Sequence, residues 1–195
     1  GMYLLFSSFY SNRNMRTLGG EPTGAVFGFV NRIEGIIRDI NPDRVAVAFD
    51  SKEKTFRHNM YEPYKAKRLA PPEELIDQIP LTRTYMDTRG ITLLEEPGFE
   101  ADDIIAATAK KEAGKGNEVL IFTADKDMFQ LVEGTVFIFH PKLKQKLDAA
   151  GIEEHFGVSP ARVVDYLSLM GDSSDNIPGV PGIGDKGAKK IIEQY

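Results

Sequence analysis

The sequence predicts an α/β protein, a three-layer sandwich with helices flanking a mainly parallel sheet, and three observations carry that prediction. Up to about residue 140, short apolar runs alternate with segments of helical periodicity, the order that favours a parallel sheet. Carboxylates follow two of the apolar runs directly, Asp50 after Val45-Ala46-Val47-Ala48-Phe49 and Asp125 with Asp127 after Val119-Leu120-Ile121-Phe122. After residue 150 the chain changes to helices and glycine-rich turns.

The elements follow in order. Residues 3–6 read as a short first strand, and residues 11–20, rich in Asn, Arg and Gly, as a loop. From Thr23 to Ile40 the apolar residues Ala25, Val26, Phe29, Val30, Ile33, Ile36, Ile37 and Ile40 recur at helical spacing, which predicts a helix with one buried stripe. Asn41-Pro42-Asp43 ends it and turns into a strand at residues 45–49. Residues 73–88 read as a helix with Leu75, Ile76, Ile79 and Leu81 toward the core, bent or split by Pro80. Strands are predicted at residues 91–94, 119–122 and 136–139, and a helix over residues 160–170.

Between the strand at residues 91–94 and the next lies Gly98-Phe99-Glu100-Ala101-Asp102-Asp103-Ile104-Ile105, three carboxylates within four residues before an apolar helical run. Acids in a first turn suit the helix dipole. In open α/β sheets, however, ligands bind beyond the carboxyl ends of the strands, where Asp50, Glu100, Asp102, Asp103, Asp125 and Asp127 would gather. Crowded carboxylates repel unless a cation neutralises them, and an all-oxygen site suits Mg2+ or Mn2+.

Composition bounds the alternatives. With 42% hydrophobic and 27% charged residues in 195, the chain is long enough for a sizeable core. It has no cysteine and only three scattered histidines, His58, His140 and His155, so disulfides and zinc–thiolate sites are excluded. No apolar run reaches membrane-spanning length and no signal peptide is evident, which predicts an intracellular, cytoplasmic protein without membrane contact. The opening Gly1-Met2 reads as a remnant of tag cleavage. A net charge of −5 argues against binding nucleic acid over the whole surface, but leaves room for local basic patches.

Two such patches occur. In residues 51–72, Lys52, Lys54, Arg57, Lys65, Lys67 and Arg68 interleave with Phe56, Tyr61 and Tyr64, a composition that can neutralise phosphates while rings stack on unpaired bases. In residues 177–190, Gly182, Gly184, Lys186, Lys189 and Lys190 cluster ahead of a helix. Glycines there would let backbone N–H groups approach a phosphate closely.

The run Asp172-Ser173-Ser174-Asp175-Asn176-Ile177-Pro178-Gly179-Val180-Pro181-Gly182-Ile183-Gly184, with Glu100-Ala101-Asp102-Asp103 and Thr123-Ala124-Asp125-Lys126-Asp127, resembles the 5′ nuclease or flap endonuclease family, most of all the 5′→3′ exonuclease domains of bacterial polymerases. Gly20-Glu21-Pro22-Thr23-Gly24-Ala25-Val26, Thr55-Phe56-Arg57 and Tyr64-Lys65 fit the same pattern. The resemblance implies a PIN-like core over residues 1–150, with a helical arch at about 51–72, and a helix-three-turn-helix DNA-binding region over 151–195 that is incomplete at its end. It implies that Asp50, Glu100 and Asp102 hold one Mg2+, and that Asp103, Asp125, Asp127, Asp172 and Asp175 hold a second, with Mn2+ able to substitute. It further implies that Lys65 and Arg68 contact the scissile phosphate, and that Arg57, Tyr64, Lys67 and the hairpin Gly182, Gly184, Lys186, Lys189 and Lys190 bind DNA, with K+ at the hairpin. The implied partner is DNA with a free 5′ end (a flap, nick or duplex end); whether a polymerase domain shares the natural chain is left open by the sequence, and the absence of an evident exposed apolar stripe predicts a monomer.

Members of the family end their first strand in an aspartate, whereas Leu4-Leu5-Phe6-Ser7-Ser8-Phe9-Tyr10 contains no acid. The pattern reads as though about half a dozen residues were missing after Leu5. That departure sets the alternative expectation, a flap- or nick-binding module with weakened cleavage.

Overall fold

The computed structural model describes residues 1–195. In chain order the elements are α1 (Met2–Ser11), α2 (Gly24–Ile40), β1 (Ala46–Ala48), α3 (Phe56–Met60), α4 (Glu73–Ile76), α5 (Ile79–Arg89), β2 (Thr92–Leu94), α6 (Ala101–Ala113), β3 (Val119–Phe122), β4 (Val136–His140), β5 (Gln145–Leu147), α7 (Ala149–Phe156), α8 (Val163–Met170), β6 (Gly171–Asp172), β7 (Ile177–Pro178) and α9 (Asp185–Gln194). Short 3-10 turns cover Lys126–Leu131 and Pro160–Arg162. No helix is long and apolar enough to cross a membrane. The contacts divide the chain into two units, one of Gly1–Thr55 with Leu69–Ala101 and one of Phe56–Arg68 with Asp102–Tyr195.

In the first unit, residues 3–6 are helical, which corrects the strand expected there. The buried residues of α1 are Leu4, Leu5, Ser8 and Phe9; this spacing of one and four marks a helix face, not the alternation of a strand. That face packs on α2, and two glycines allow the approach. A Cβ on Gly28 would sit 2.6 Å from Ser8 Cβ, and one on Gly24 would sit 2.1 Å from the Asn12 carbonyl oxygen. The predicted stripe of α2 buries Ala25, Phe29 and Ile33, each large side chain worth roughly 1.5–3 kcal/mol. Asn41, at φ 49°, closes the helix in the left-handed region.

The helix expected at residues 73–88 is split into α4 and α5, with Pro80 in the first turn of α5, where a missing N–H costs nothing. The split changes which side chains face inward. Leu75 is buried as expected, but Ile76 and Leu81 are exposed, and Gln78, Thr82 and Met86 take the core positions. Gln78 can be buried because its amide is satisfied: Oε1 accepts the Ala25 N–H at 2.8 Å and the Val26 N–H at 3.2 Å, and Nε2 donates to the Glu74 carbonyl at 2.7 Å. It thereby serves the N-terminus of α2, which has no side-chain cap of its own. Strands β1 and β2 pair in parallel, Ala46 opposite Thr92 and Ala48 opposite Leu94.

The second unit is built on β3, β4 and β5. β3 and β4 run parallel, with Val119 opposite Val136, and β5 returns antiparallel to β4. Its core gathers Ile121, Ile138, Phe129, Leu147, Ile152 and Val163, joined from α6 by Ala109. A smaller cluster of Val158, Tyr166 and Ala188 ties α8 to α9. Between α8 and α9 the two-residue ladder of β6 and β7 frames a tight turn at residues 173–176.

Candidate functional site

In the first unit, β1 delivers Asp50, whose Oδ1 accepts the Ala101 N–H at 3.1 Å, at the first residue of α6. The carboxylate thus meets a donor that the helix itself leaves unpaired. Glu100, the preceding residue, is 7% exposed, an unusual place for a charged side chain.

In the second unit, Asp102 and Asp103 occupy the first turn of α6. Asp103 takes a bidentate pair from Arg57, both N–H···O distances being 2.7 Å, the geometry in which guanidinium and carboxylate bind most strongly. Beyond β3, Thr123 Oγ1 accepts the Asp125 N–H at 3.0 Å, and Asp125 caps the following 3-10 turn by accepting the Asp127 N–H at 3.0 Å. The turn between β6 and β7 adds two more acids. Asp172 accepts the Ser174 N–H at 2.8 Å and its hydroxyl at 2.6 Å, and lies 3.3 Å from the Lys126 ammonium. Asp175 is ion-paired with Arg68.

Electrostatics separates these acids. Burial pushes the Asp127 carboxyl up to about 6, and the charges of Asp125, Asp172 and Asp175 push the same way, opposed only by Lys126. For Asp172 burial also acts upward, but the Ser174 hydrogen bonds and Lys126 outweigh it and hold the group below its ordinary value. The Oδ1 of Asp127 is buried and accepts no hydrogen bond. An orphaned carboxylate oxygen among three other acids fits a hard divalent cation, whose charge would offset both burial and repulsion. No three acidic or imidazole side chains close into a finished cage; Arg57, Arg68 and Lys126 supply positive charge to Asp103, Asp175 and Asp172 instead.

Residues Phe56–Arg68 of the basic stretch belong to the same second unit. Only α3 within it is helical, followed by turns. Lys65 has φ 55° and its ammonium lies 4.9 Å from the Tyr64 ring centroid; Arg57 similarly covers Phe56 at 4.7 Å. Lys67 and Arg68 are exposed. Tyr64 is only 5% exposed, its ring edge-on to His58, so it packs inside the protein and does not face outward as a stacking platform. In the glycine-rich hairpin Gly182 takes φ 83° and Gly184 stands at the N-cap of α9. Lys186 and Lys190 are exposed. Lys189 turns inward, 2.9 Å from Asp185 and within 6 Å of the Phe156 and Tyr166 rings.

Residue-by-residue reading gave no role to Asn176 or Ser174. The signal available was the left-handed preference of Asn in a Ser-Ser-Asp-Asn turn.

Comparison with known proteins identifies the family of the chain. The family described as 5′-3′ exonuclease, N-terminal resolvase-like domain, matches residues 1–157, and that described as 5′-3′ exonuclease, C-terminal SAM fold, matches residues 158–195. Among curated relatives, the thermostable DNA polymerase I of Thermus thermophilus is 41% identical over 195 residues, covering 100% of this chain and 23% of the polymerase. DNA polymerase I of Mycobacterium bovis is 40% identical over 201 residues, covering 100% of the chain and 22% of that protein. The chain therefore spans less than a quarter of the length of these relatives. Among solved structures, T5 5′-exonuclease with bound zinc ions superposes with a TM-score of 0.78 at 23% identity, over 100% of this chain and 73% of that one. The catalytic core of Rad2 in complex with DNA substrate gives 0.62 at 17% identity, over 97% and 59%. At such identities the likeness shows a shared PIN-like α/β fold. With both family descriptions together spanning every residue, the chain belongs to the 5′-3′ exonuclease family.

Proposed function

We propose that this chain is a structure-specific 5′→3′ exonuclease or 5′ flap endonuclease module that hydrolyses DNA phosphodiesters with divalent metal ions. The single observation that carries the reading is Asp127: a buried, unpartnered carboxylate oxygen beside Asp125, Asp172 and Asp175, in a chain of the 5′-3′ exonuclease family. Those residues with Asp103 would hold one ion, and Asp50 and Glu100 of the first unit would line a second; Mg2+ suits the all-oxygen donor set and Mn2+ would substitute. When bound, such ions lower the pKa of a water and offset charge on the phosphate and the leaving oxygen.

The chain's own side chains do the rest. Lys65 and Arg68 neutralise the scissile phosphate and stabilise charge as it develops there. Arg68 must exchange Asp175 for phosphate to do so, and Arg57 must likewise leave Asp103. Lys67, Lys186 and Lys190 contact duplex phosphates, and the hairpin around Gly182 and Gly184 brings backbone N–H groups close, with K+ as its companion ion. Such contacts position DNA without reading bases, so selectivity is for shape and a free 5′ end. Because the relatives are DNA polymerase I, a polymerase region is proposed to work with this module in replication and repair.

A second reading is a flap-binding module with weak cleavage. Incubating the chain with a 5′-labelled flap duplex in Mg2+ or Mn2+ separates the two. Short 5′ products that Asp103→Ala cannot make are expected. Retained, salt-sensitive flap binding without product would move the chain to the second reading.

A further inference from the structure

Three non-glycine residues of the second unit adopt left-handed backbone, and two of them are joined by hydrogen bonds through their neighbours, Lys65 at φ 55° and Asn176 at φ 59°. For Asn this is a common conformation, because its short polar side chain bonds locally. For Lys it is uncommon, and such a conformation persists only where the surroundings enforce it. Here they do. The Lys65 N–H donates to the Asp175 carbonyl at 3.0 Å, and the Asn176 side-chain Nδ2 donates to the Pro63 carbonyl at 2.8 Å. A carbonyl can only accept, which fixes the amide with its NH2 toward Pro63. The Ala66 N–H also returns to the Pro63 carbonyl at 3.1 Å, and the Arg68 N–H to the Lys65 carbonyl at 3.0 Å. Lys65 and Pro63 are thus bonded to the consecutive residues Asp175 and Asn176 of the turn that follows Asp172.

We propose that Asn176 is a positioning residue for Lys65: its side-chain amide clamps Pro63, and with the Asp175 carbonyl it holds Lys65 in the left-handed conformation that sets the direction in which its side chain leaves the backbone. The inference rests on the reading of Lys65 as a phosphate contact. Asn176 touches neither phosphate nor metal in this role. It links the acidic turn and the basic segment through backbone groups, so that Lys65 and Asp175 keep one spacing whether or not Arg68 remains paired with Asp175.

The discriminating variant is Asn176→Gly, since glycine accepts the left-handed backbone at position 176 while deleting only the amide. Amide exchange followed by NMR on the metal-free, DNA-free chain should show the Lys65 N–H exchanging about tenfold faster or more in the variant, with the β3 and β4 amides unchanged. Single-turnover cleavage of a 5′ flap should fall on the order of 10- to 100-fold, the scale of a misplaced catalytic group, while flap affinity is unchanged. In a Lys65→Ala background the same substitution should cost nothing further, as coupled residues require. Unchanged Lys65 exchange in Asn176→Gly, or losses that multiply in the double variant, would overturn the proposal. A parent chain that does not cleave would overturn the nuclease reading and the positioning role with it, whereas the exchange result decides the clamp independently.

Discussion

At Asp127, burial and neighbouring charge act in one direction, and the side chain has no hydrogen bond to compensate its buried oxygen. Ionised Asp127 therefore destabilises the metal-free protein, and removing its charge should help. Asp127→Asn supplies amide donors to the surrounding carboxylates. Discounted for partial solvent screening, it should raise stability at neutral pH by about 1 kcal/mol in chelator. Mg2+ should raise the melting temperature of the parent and leave that of the variant nearly unmoved, which paired thermal melts would check. The candidacy of Asp127 was legible from sequence because it follows a strand end, but its burial was not. The repulsion from Asp172 and Asp175 comes from a distant turn, and these two were recognised only through family resemblance. Similarly, Tyr64 read as a stacking aromatic, and nothing local announced that its ring would turn inward against His58.

Among the elements, α2 and the strands at β1 through β4 were readable because one face of each is uniformly apolar. α1 was misread because Tyr3-Leu4-Leu5-Phe6 is too short an apolar run to show a period; the helix becomes evident only when Ser8 and Phe9 are counted on the same face. Contact of α1 with α2 depends on a missing side chain at Gly28. Gly28→Val should force the helices apart and cost about 1–3 kcal/mol, as overpacking does, measurable as a lower urea midpoint with unchanged slope. The β4–β5 turn carries a pH dependence. His140 Nδ1 accepts the Leu143 N–H at 3.3 Å, which only an unprotonated ring nitrogen can do. Burial, then Lys142 and His155, hold its pKa below the ordinary 6.5. The unfolded chain consequently takes up the proton first as pH falls, so this contribution to stability is complete above pH 6.5 and lost below it. His140→Gln keeps an acceptor without a titration, and urea unfolding on either side of that pH should show a flatter profile in the variant.

For the whole molecule, the α/β class followed from alternation of elements, and the nuclease family from motifs that lie far apart in sequence. What sequence could not supply was the pairing of opposite charges, since Arg57 with Asp103 and Arg68 with Asp175 join residues separated by 46 and 107 positions. In the proposed hydrolysis, Lys65 acts on charge that develops at the phosphate, so Lys65→Ala should slow single-turnover cleavage by on the order of 100-fold or more and leave flap affinity little changed. Equal losses in rate and affinity would assign Lys65 to binding alone. The most direct measurement is the rate of 5′ flap cleavage as a function of Mg2+ concentration, for the parent and for Asp127→Asn. A divalent-cation site at the acidic turn predicts no product in chelator, a rise to saturation in the parent, and a depressed rate in the variant that excess Mg2+ does not restore. Cleavage that proceeds in chelator, or a variant curve that overlies the parent's, would contradict it.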